Sequence, residues 1–244
     1  MSTPQAPTSK TIAITQSNYI PWKGYFDLIA AVDELVIYDA MQFTRRDWRN
    51  RNKIKTQQGL QWLTIPVETK GLYFQRIDET QIQSLEWANQ HWERIRHSYG
   101  KSPGFALQGS KLEELYRTAT SNLLTEVNRH FLEGLCKMLG IRTPLRDCRE
   151  YEMPEGQTER LIAICKQAGA TDYLSGPAAR DYIDATLFEQ AGIALHYMDY
   201  SGYLEYPQLH GAFDHAVSVV DLILATGPDA PKFMKFTHHP NPDD

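Results

Sequence analysis

Short apolar runs alternate along this chain with longer stretches in which apolar residues recur three and four apart. Residues 11–15 (TIAIT) and 35–38 (LVIY) read as short buried strands, and 61–67 (QWLTIPV) as a third. Between the first two, Pro21 is placed to open a helix, because proline costs least at the first helical position. Gly24 and Tyr25 fall in its first turn, and Phe26, Ile29 and Ala30 make its apolar face. Ser84 is placed to cap a helix with the stripe Leu85, Ala88, Trp92, Ile95 and Tyr99. Ser110 and Glu113 have the spacing of a capping box for the next helix. A longer helix follows with Leu124, Val127, Phe131, Leu135 and Met138 buried, ending at Gly140. Residues 84–139 thus form a helical insertion between strands, with no linker composition to set it apart as a domain.

After the insertion the alternation returns. Residues 141–146 read as a strand, 159–168 as a helix stopping at Gly169, and 172–174 as a strand entering the small-residue turn Ser175-Gly176-Pro177-Ala178-Ala179-Arg180. A helix over 181–191, a last strand over 193–197 and a final helix over 213–224 complete the series. Asp221 falls on the apolar stripe of that last helix and needs a partner, since unpaired burial of a carboxylate is costly. Strands alternating with helices predict an α/β fold with a mostly parallel sheet. Strands 11–15, 35–38, 62–66 and 173–174 are expected in that one sheet. The organised part is expected to span residues 11–228 as a single domain, with 1–10 and 229–244, including His238-His239, as disordered tails.

Composition narrows the function classes. The 244 residues suffice for one large α/β domain, and a hydrophobic share of 42% is that of a globular protein. A formal net charge of -5 disfavours general nucleic-acid binding. Cys136, Cys148 and Cys165 are too few and scattered for a disulfide framework or a zinc site, and Cys165 shares a helix face with Leu161 and Ile164. No apolar run is long enough to span a bilayer, so no membrane insertion and a cytoplasmic, reduced protein are expected.

The candidate chemistry concentrates in residues 16–55. Two strand ends, a helix start and the basic run TRRDWRNRNKIK converge there. Ligands of open parallel sheets bind at the carboxyl ends of the strands. Arg45, Arg46, Arg49, Arg51, Lys53 and Lys55 have two readings. They form a solvated charged turn, or they hold an anion, with arginine forks on phosphate or carboxylate and Trp48, Asn50 and Asn52 reading a sugar or base. The turn at Ser175 and Gly176 lets backbone N–H groups approach a phosphate, but it lacks both GxGxxG and the P-loop pattern. His91 also has two readings, a satisfied helical histidine or a site residue.

Gln16-Ser17-Asn18-Tyr19-Ile20-Pro21-Trp22-Lys23-Gly24-Tyr25-Phe26 resembles the signature of the WbqC-like family. So do Asp39, Gln42-Phe43, Trp48, Asn50-Arg51-Asn52, WLTIPV at 62–67, His91-Trp92, YLSG at 173–176 and SVVDL at 218–222. The resemblance spans about residues 11–228. Thr15 stands where many members carry histidine, and Ser17 where many carry proline. Members are often encoded among genes for O-antigen and other surface polysaccharides, which implies a biosynthetic context rather than a particular reaction. The first strand, turn and helix also look like the opening unit of nucleotidylyltransferase-type, Rossmann-like domains. Trp22-Lys23-Gly24-Tyr25 then stands where those carry His-x-Gly-His, keeping the glycine and neither histidine.

Three functions follow as expectations. The first is a transferase of surface-polysaccharide assembly, acting on a small phosphorylated or nucleotide-activated substrate by acyl, aminoacyl or nucleotidyl transfer. Asp39 or His91 would be the general base. Gln16, Asn18, Tyr19, Trp22, Gly24, Tyr25, Gln42, Arg45, Trp48, Asn50, Arg51, Asn52, Lys55, Ser175 and Gly176 would bind substrate. The others are a nucleotidylyltransferase-like enzyme and a non-catalytic scaffold. Nothing in the sequence names a cofactor, a metal or an oligomeric state. A pocket shared by Asp39, Arg51 and Ser175 would favour an enzyme, and a flat surface the scaffold.

Overall fold

The computed structural model describes residues 9–236. Five parallel strands form the central sheet: β1 (Thr11–Thr15), β2 (Glu34–Ile37), β5 (Leu145–Asp147), β6 (Asp172–Ser175) and β7 (Ala194–Tyr197), in the order β5-β2-β1-β6-β7. Counted along the chain, these sheet strands lie in the order 3-2-1-4-5, the doubly wound arrangement of a Rossmann-like fold. β1 and β2 are buried on both faces. Ala13, Leu35 and Ile37 enter one apolar core, while Ile12, Ile14 and Val36 enter the other. That two-sided burial is why their sequences are apolar runs rather than alternating ones.

The first core lies under α1 (Lys23–Ala30), the three insertion helices α2 (Glu86–Tyr99), α3 (Phe105–Thr118) and α4 (Leu124–Leu139), and α7 (Val219–Thr226). The second lies under α5 (Gln157–Gln167) and α6 (Ala185–Gln190), and holds Cys165. α4 stops at Gly140, whose φ of 73° is a left-handed cap. Asp221 is fully buried in α7 and accepts from the hydroxyls of Tyr99 and Tyr206 (2.8 Å each) and from Gln208 Nε2 (2.8 Å). Those three donors supply the partner that its place on the stripe demands.

Several expectations are corrected. The 61–67 segment does not join the central sheet. β4 (Gly59–Thr64) pairs antiparallel with β3 (Arg51–Thr56), part of the run read as a basic loop, in a separate two-stranded hairpin. A two-residue connection closes it, with Gly59 at φ 100°. A local partner is thus available before any distant strand, and β4 exposes most of its residues, as an interior parallel strand cannot. α1 begins at Lys23, after an N-cap at Trp22, rather than at Pro21. Ser110 and Glu113 lie inside α3 instead of capping it, and Glu113 Oε1 accepts from Trp92 Nε1 (2.9 Å). α7 starts at Val219, six residues later than its stripe implied, because the Ser218 side chain caps Val220 N–H (3.2 Å). Residues 229–236, expected in a disordered tail, are ordered. Gly227–Phe233 is a 3-10 turn, and the amides of Lys235 and Phe236 donate to Asp27 Oδ1 (3.0 Å each). Residues 1–8 and 237–244, with His238-His239, lie outside the described residues.

Candidate functional site

β2 leaves β1 in one direction and β6 flanks it on the other side, so the sheet reverses its winding between β1 and β6. In open parallel sheets that switch point is where ligands bind. A cavity of about 430 Å³ opens there. Thr15 and Gln16 from the end of β1, Ser175 and Gly176 from the end of β6, Trp22 and Tyr25 from the start of α1, and Arg49 line it, with Tyr38, Gln157, Tyr182 and Tyr200 among its further walls. A Cβ added at Gly176 would meet no atom within 4 Å. Gly176 has an ordinary φ of -72°, so open space rather than backbone strain is what the glycine leaves here.

A buried polar network sets the position of Arg49. Asp39, at the end of β2, accepts from Ser17 N–H (2.8 Å), Ser17 Oγ (2.6 Å) and Thr125 Oγ1 of α4 (2.6 Å). Asn128 of α4 donates to Ser17 Oγ and to the Arg49 carbonyl (2.9 Å each). Burial holds the Asp39 carboxyl above the usual carboxylate range, against the opposing hydrogen bonds from Ser17 and Thr125 and the charge of Arg49. The Arg49 side chain donates to Asn18 Oδ1 and lies 3.7 Å from Asp47. Its Nε is buried with no hydrogen-bond partner among the described residues.

A second, more apolar chamber of about 330 Å³ shares Trp22 with the first and is also lined by Asn18, Pro21, Trp48, Asn52, His215 and Ala216. Trp22 is its partition, packed edge-on against Tyr200 and Tyr203 with ring centroids 5.0 and 5.8 Å away. Asn52 is fully engaged: Nδ2 donates to the Tyr19 and Ile20 carbonyls (3.2 and 3.0 Å), and Oδ1 accepts from Lys53 N–H (2.8 Å). Ile20 has φ of 37°, which costs a β-branched residue of order 1–3 kcal/mol. Asn52 therefore holds the β1–α1 turn closed. His215 packs edge-on over Phe213 (4.5 Å), and its Nδ1 is buried without a hydrogen-bond partner among the described residues. Burial, followed by the charge of Lys23, lowers its pKa.

The residues expected to act together are therefore distributed. Gln16, Trp22, Tyr25, Ser175 and Gly176 meet at the switch-point cavity, and Asn18, Trp22, Trp48 and Asn52 at the aromatic chamber. Arg45, Asn50 and Arg51 line a separate groove on the hairpin side. Asp39, Arg51 and Ser175 do not share a pocket, and of the three only Ser175 reaches the switch point. Tyr19 is fully buried, its hydroxyl 2.9 Å from His91 Nδ1 and 2.7 Å from Tyr116 Oη. His91 lies in that aromatic core, and burial lowers its pKa to about 4. Asp39 and His91, the two expected bases, are thus outside the lining of both cavities. Lys55 is buried, and its ammonium donates to Gln208 Oε1 (2.7 Å) and the Ala212 carbonyl. Gln42 is exposed and donates to the Tyr73 carbonyl (2.7 Å). Gly24 makes room for neither ligand nor a second backbone segment. A Cβ there would stand 2.3 Å from the Trp22 indole, so the glycine seats the partition itself.

Several lining residues escaped selection, Arg49 and His215 among them. Arg49 was one cation among six in a run, and its one distinguishing signal is the neighbouring pair Trp48 and Asn50. His215 lay in a segment read as helix. Among the described residues no group of three or more His, Cys, Asp or Glu side chains is arranged to hold a metal ion, and no helix is long and apolar enough to cross a membrane.

Comparison with known proteins agrees with this picture at the level of family. The profile of the WbqC-like protein family matches residues 16–233. The uncharacterized protein Rv1507c of Mycobacterium tuberculosis is 48% identical over 227 residues, which is 93% of this chain and 98% of that protein. No solved structure matches.

Proposed function

The chain belongs to the WbqC-like protein family, and on that premise we propose that it is a transferase of surface-polysaccharide assembly, of the O-antigen type, that binds a phosphorylated or nucleotide-activated sugar at the switch point. The observation that carries this reading is the placement of Arg49 in a cavity between the ends of β1 and β6, with a buried N–H left to donate. A guanidinium offers charge-assisted hydrogen bonds to phosphate oxygens. Ser175 and the open backbone at Gly176 line the same space. The adjoining chamber supplies what a sugar ring needs: the Trp22 and Trp48 indoles for its apolar faces, and the Asn18 amide and His215 for its hydroxyls.

In this reading Asp39 is a positioning residue. It holds Ser17 and α4, and through Asn128 the Arg49 backbone, while His91 belongs to the core. His215, which lines the chamber and whose pKa is lowered by burial, is better placed than either to accept a proton from a substrate hydroxyl or amine.

The test is a thermal-shift and calorimetric screen of inorganic phosphate, nucleotides and nucleotide sugars. A nucleotide sugar should raise the melting temperature, and added salt should weaken its binding. Arg49→Ala should reduce affinity by about 1.5–3 kcal/mol, the range for a hydrogen bond to a charged group, while Arg51→Ala binds normally. Equal binding by Arg49→Ala and the wild type, or loss confined to Arg51→Ala, would move the site away from the switch point.

A further inference from the structure

The switch-point reading leaves the hairpin-side groove unused. It has a volume of about 360 Å³, and Arg45, Arg46, Arg51, Asn50, Thr69 and Gln83 are among the residues that line it. Three arginines converge there on a protein whose formal net charge is -5. The arginines are held in place. Arg45 donates to the Thr69 carbonyl, Arg51 donates to the Arg46 carbonyl and lies 4.1 Å over the Trp62 ring, and Arg46 itself takes a left-handed φ of 59°. Asp47, the acid within the run, is occupied by Thr44 Oγ1 (2.6 Å) and Trp48 N–H (2.7 Å). Arg51 Nε and Asn50 Oδ1 are buried without hydrogen-bond partners among the described residues, and Asn50 as a whole is 7% exposed. The groove therefore offers positive charge, one spare donor and one spare acceptor.

Beside it stands an apolar tip. Leu72, Tyr73 and Phe74 are 47%, 68% and 86% exposed, three consecutive large side chains in water. Arg45 joins the two features: it lines the groove, and its guanidinium lies 5.3 Å from the Tyr73 ring centre. Trp62 on the neighbouring hairpin and Trp48 just before it are also exposed, and Lys53 lies over both rings. Aromatic and aliphatic side chains at a rim of arginine and lysine match the chemistry of a bilayer interface, where apolar groups enter the headgroup boundary and cations meet anionic lipid.

We propose that this face docks the protein on an anionic membrane surface, the arginine groove receiving a phospholipid headgroup and the 72–74 tip entering the headgroup boundary. The phosphate would meet the arginines, and a headgroup hydroxyl or ammonium would meet Asn50 Oδ1. The protein lies on the bilayer and does not span it. The inference does not depend on what the switch-point cavity binds.

Co-sedimentation of the full chain with vesicles tests it, using phosphatidylcholine alone and phosphatidylcholine mixed with phosphatidylglycerol. The protein should sediment with the mixed vesicles and remain in solution with phosphatidylcholine, and added salt should release it. Phe74→Asp should lower partition at least tenfold. Arg46→Ala should lower it about fivefold, the equivalent of about 1 kcal/mol for one basic residue at an anionic surface. Both positions are exposed, so the fold is not at stake. Leu107→Asp, an exposed leucine of α3, should sediment like the wild type. Absence of sedimentation with the mixed vesicles, equal sedimentation with phosphatidylcholine alone, wild-type partition of Phe74→Asp and Arg46→Ala, or an equal loss in Leu107→Asp would overturn the proposal.

Discussion

Asp39→Ala should destabilise the protein by about 3–5 kcal/mol in urea unfolding, because three donors lose one acceptor in a buried site. Ser17 N–H, Ser17 Oγ and Thr125 Oγ1 all point at this carboxylate, and 3% exposure leaves little water to replace it. Asp39→Asn should be milder, since one carboxamide oxygen remains and the two hydroxyls can turn toward it. The pair of variants separates two roles. If Asp39 positions the β1–α1 turn, the asparagine variant folds and binds ligand almost normally. If it were the general base, that variant would fold, bind and lose turnover. An alanine variant with an unchanged urea midpoint would contradict the network.

His91 should give the protein a specific sensitivity to acid. Burial first, and then the charge of Arg94, lowers its pKa from 6.5 to about 4. The unfolded chain therefore takes up the proton before the folded one does. The stability His91 contributes is fully present above pH 6.5 and is lost as pH falls from 6.5 toward about 4. The loss across that window is about 3 kcal/mol, at 1.36 kcal/mol per pKa unit. Asp39 and Asp221 act in the opposite sense. Their folded pKa values are raised by burial, so protonating them on acidification favours the folded state. The difference between wild type and His91→Gln isolates the histidine contribution. Stability of the wild type should fall more steeply between pH 6.5 and 4, and parallel profiles would show that the ring is not held neutral in the core.

The doubly wound core was legible because its physics is local to each segment. TIAIT and LVI are apolar on both faces, α2 and α4 carry stripes three and four apart, and Gly140 and Gly169 mark helix ends. The hairpin was hidden by its composition. In Arg51-Asn52-Lys53-Ile54 the side that packs inward begins with an amide, so the alternation reads as charge rather than as a strand. Binding residues were recognised by type but not by grouping. Twelve residues of basic run suggested one loop and one ligand. The chain instead turns at Arg46 and passes three cavities, with Arg49 at the switch point, Trp48 and Asn52 at the aromatic chamber, and Arg51 at the outer groove. Tyr19, Asn52, Lys55, Asp39 and His91 have site-like chemistry because buried polar groups must be paired, and pairing is what they do here.

Gly176 gives access to the central claim with little risk to the fold. Its φ is ordinary, and an added Cβ would meet no neighbouring atom within 4 Å. The decisive measurement is a calorimetric titration of wild type and Gly176→Leu with the nucleotide sugar that most stabilises the wild type. The account predicts a variant with wild-type melting temperature whose binding is abolished, because leucine occupies the space beside Arg49 and Ser175. A variant that melts normally and binds with unchanged affinity would contradict the placement of the ligand between β1 and β6.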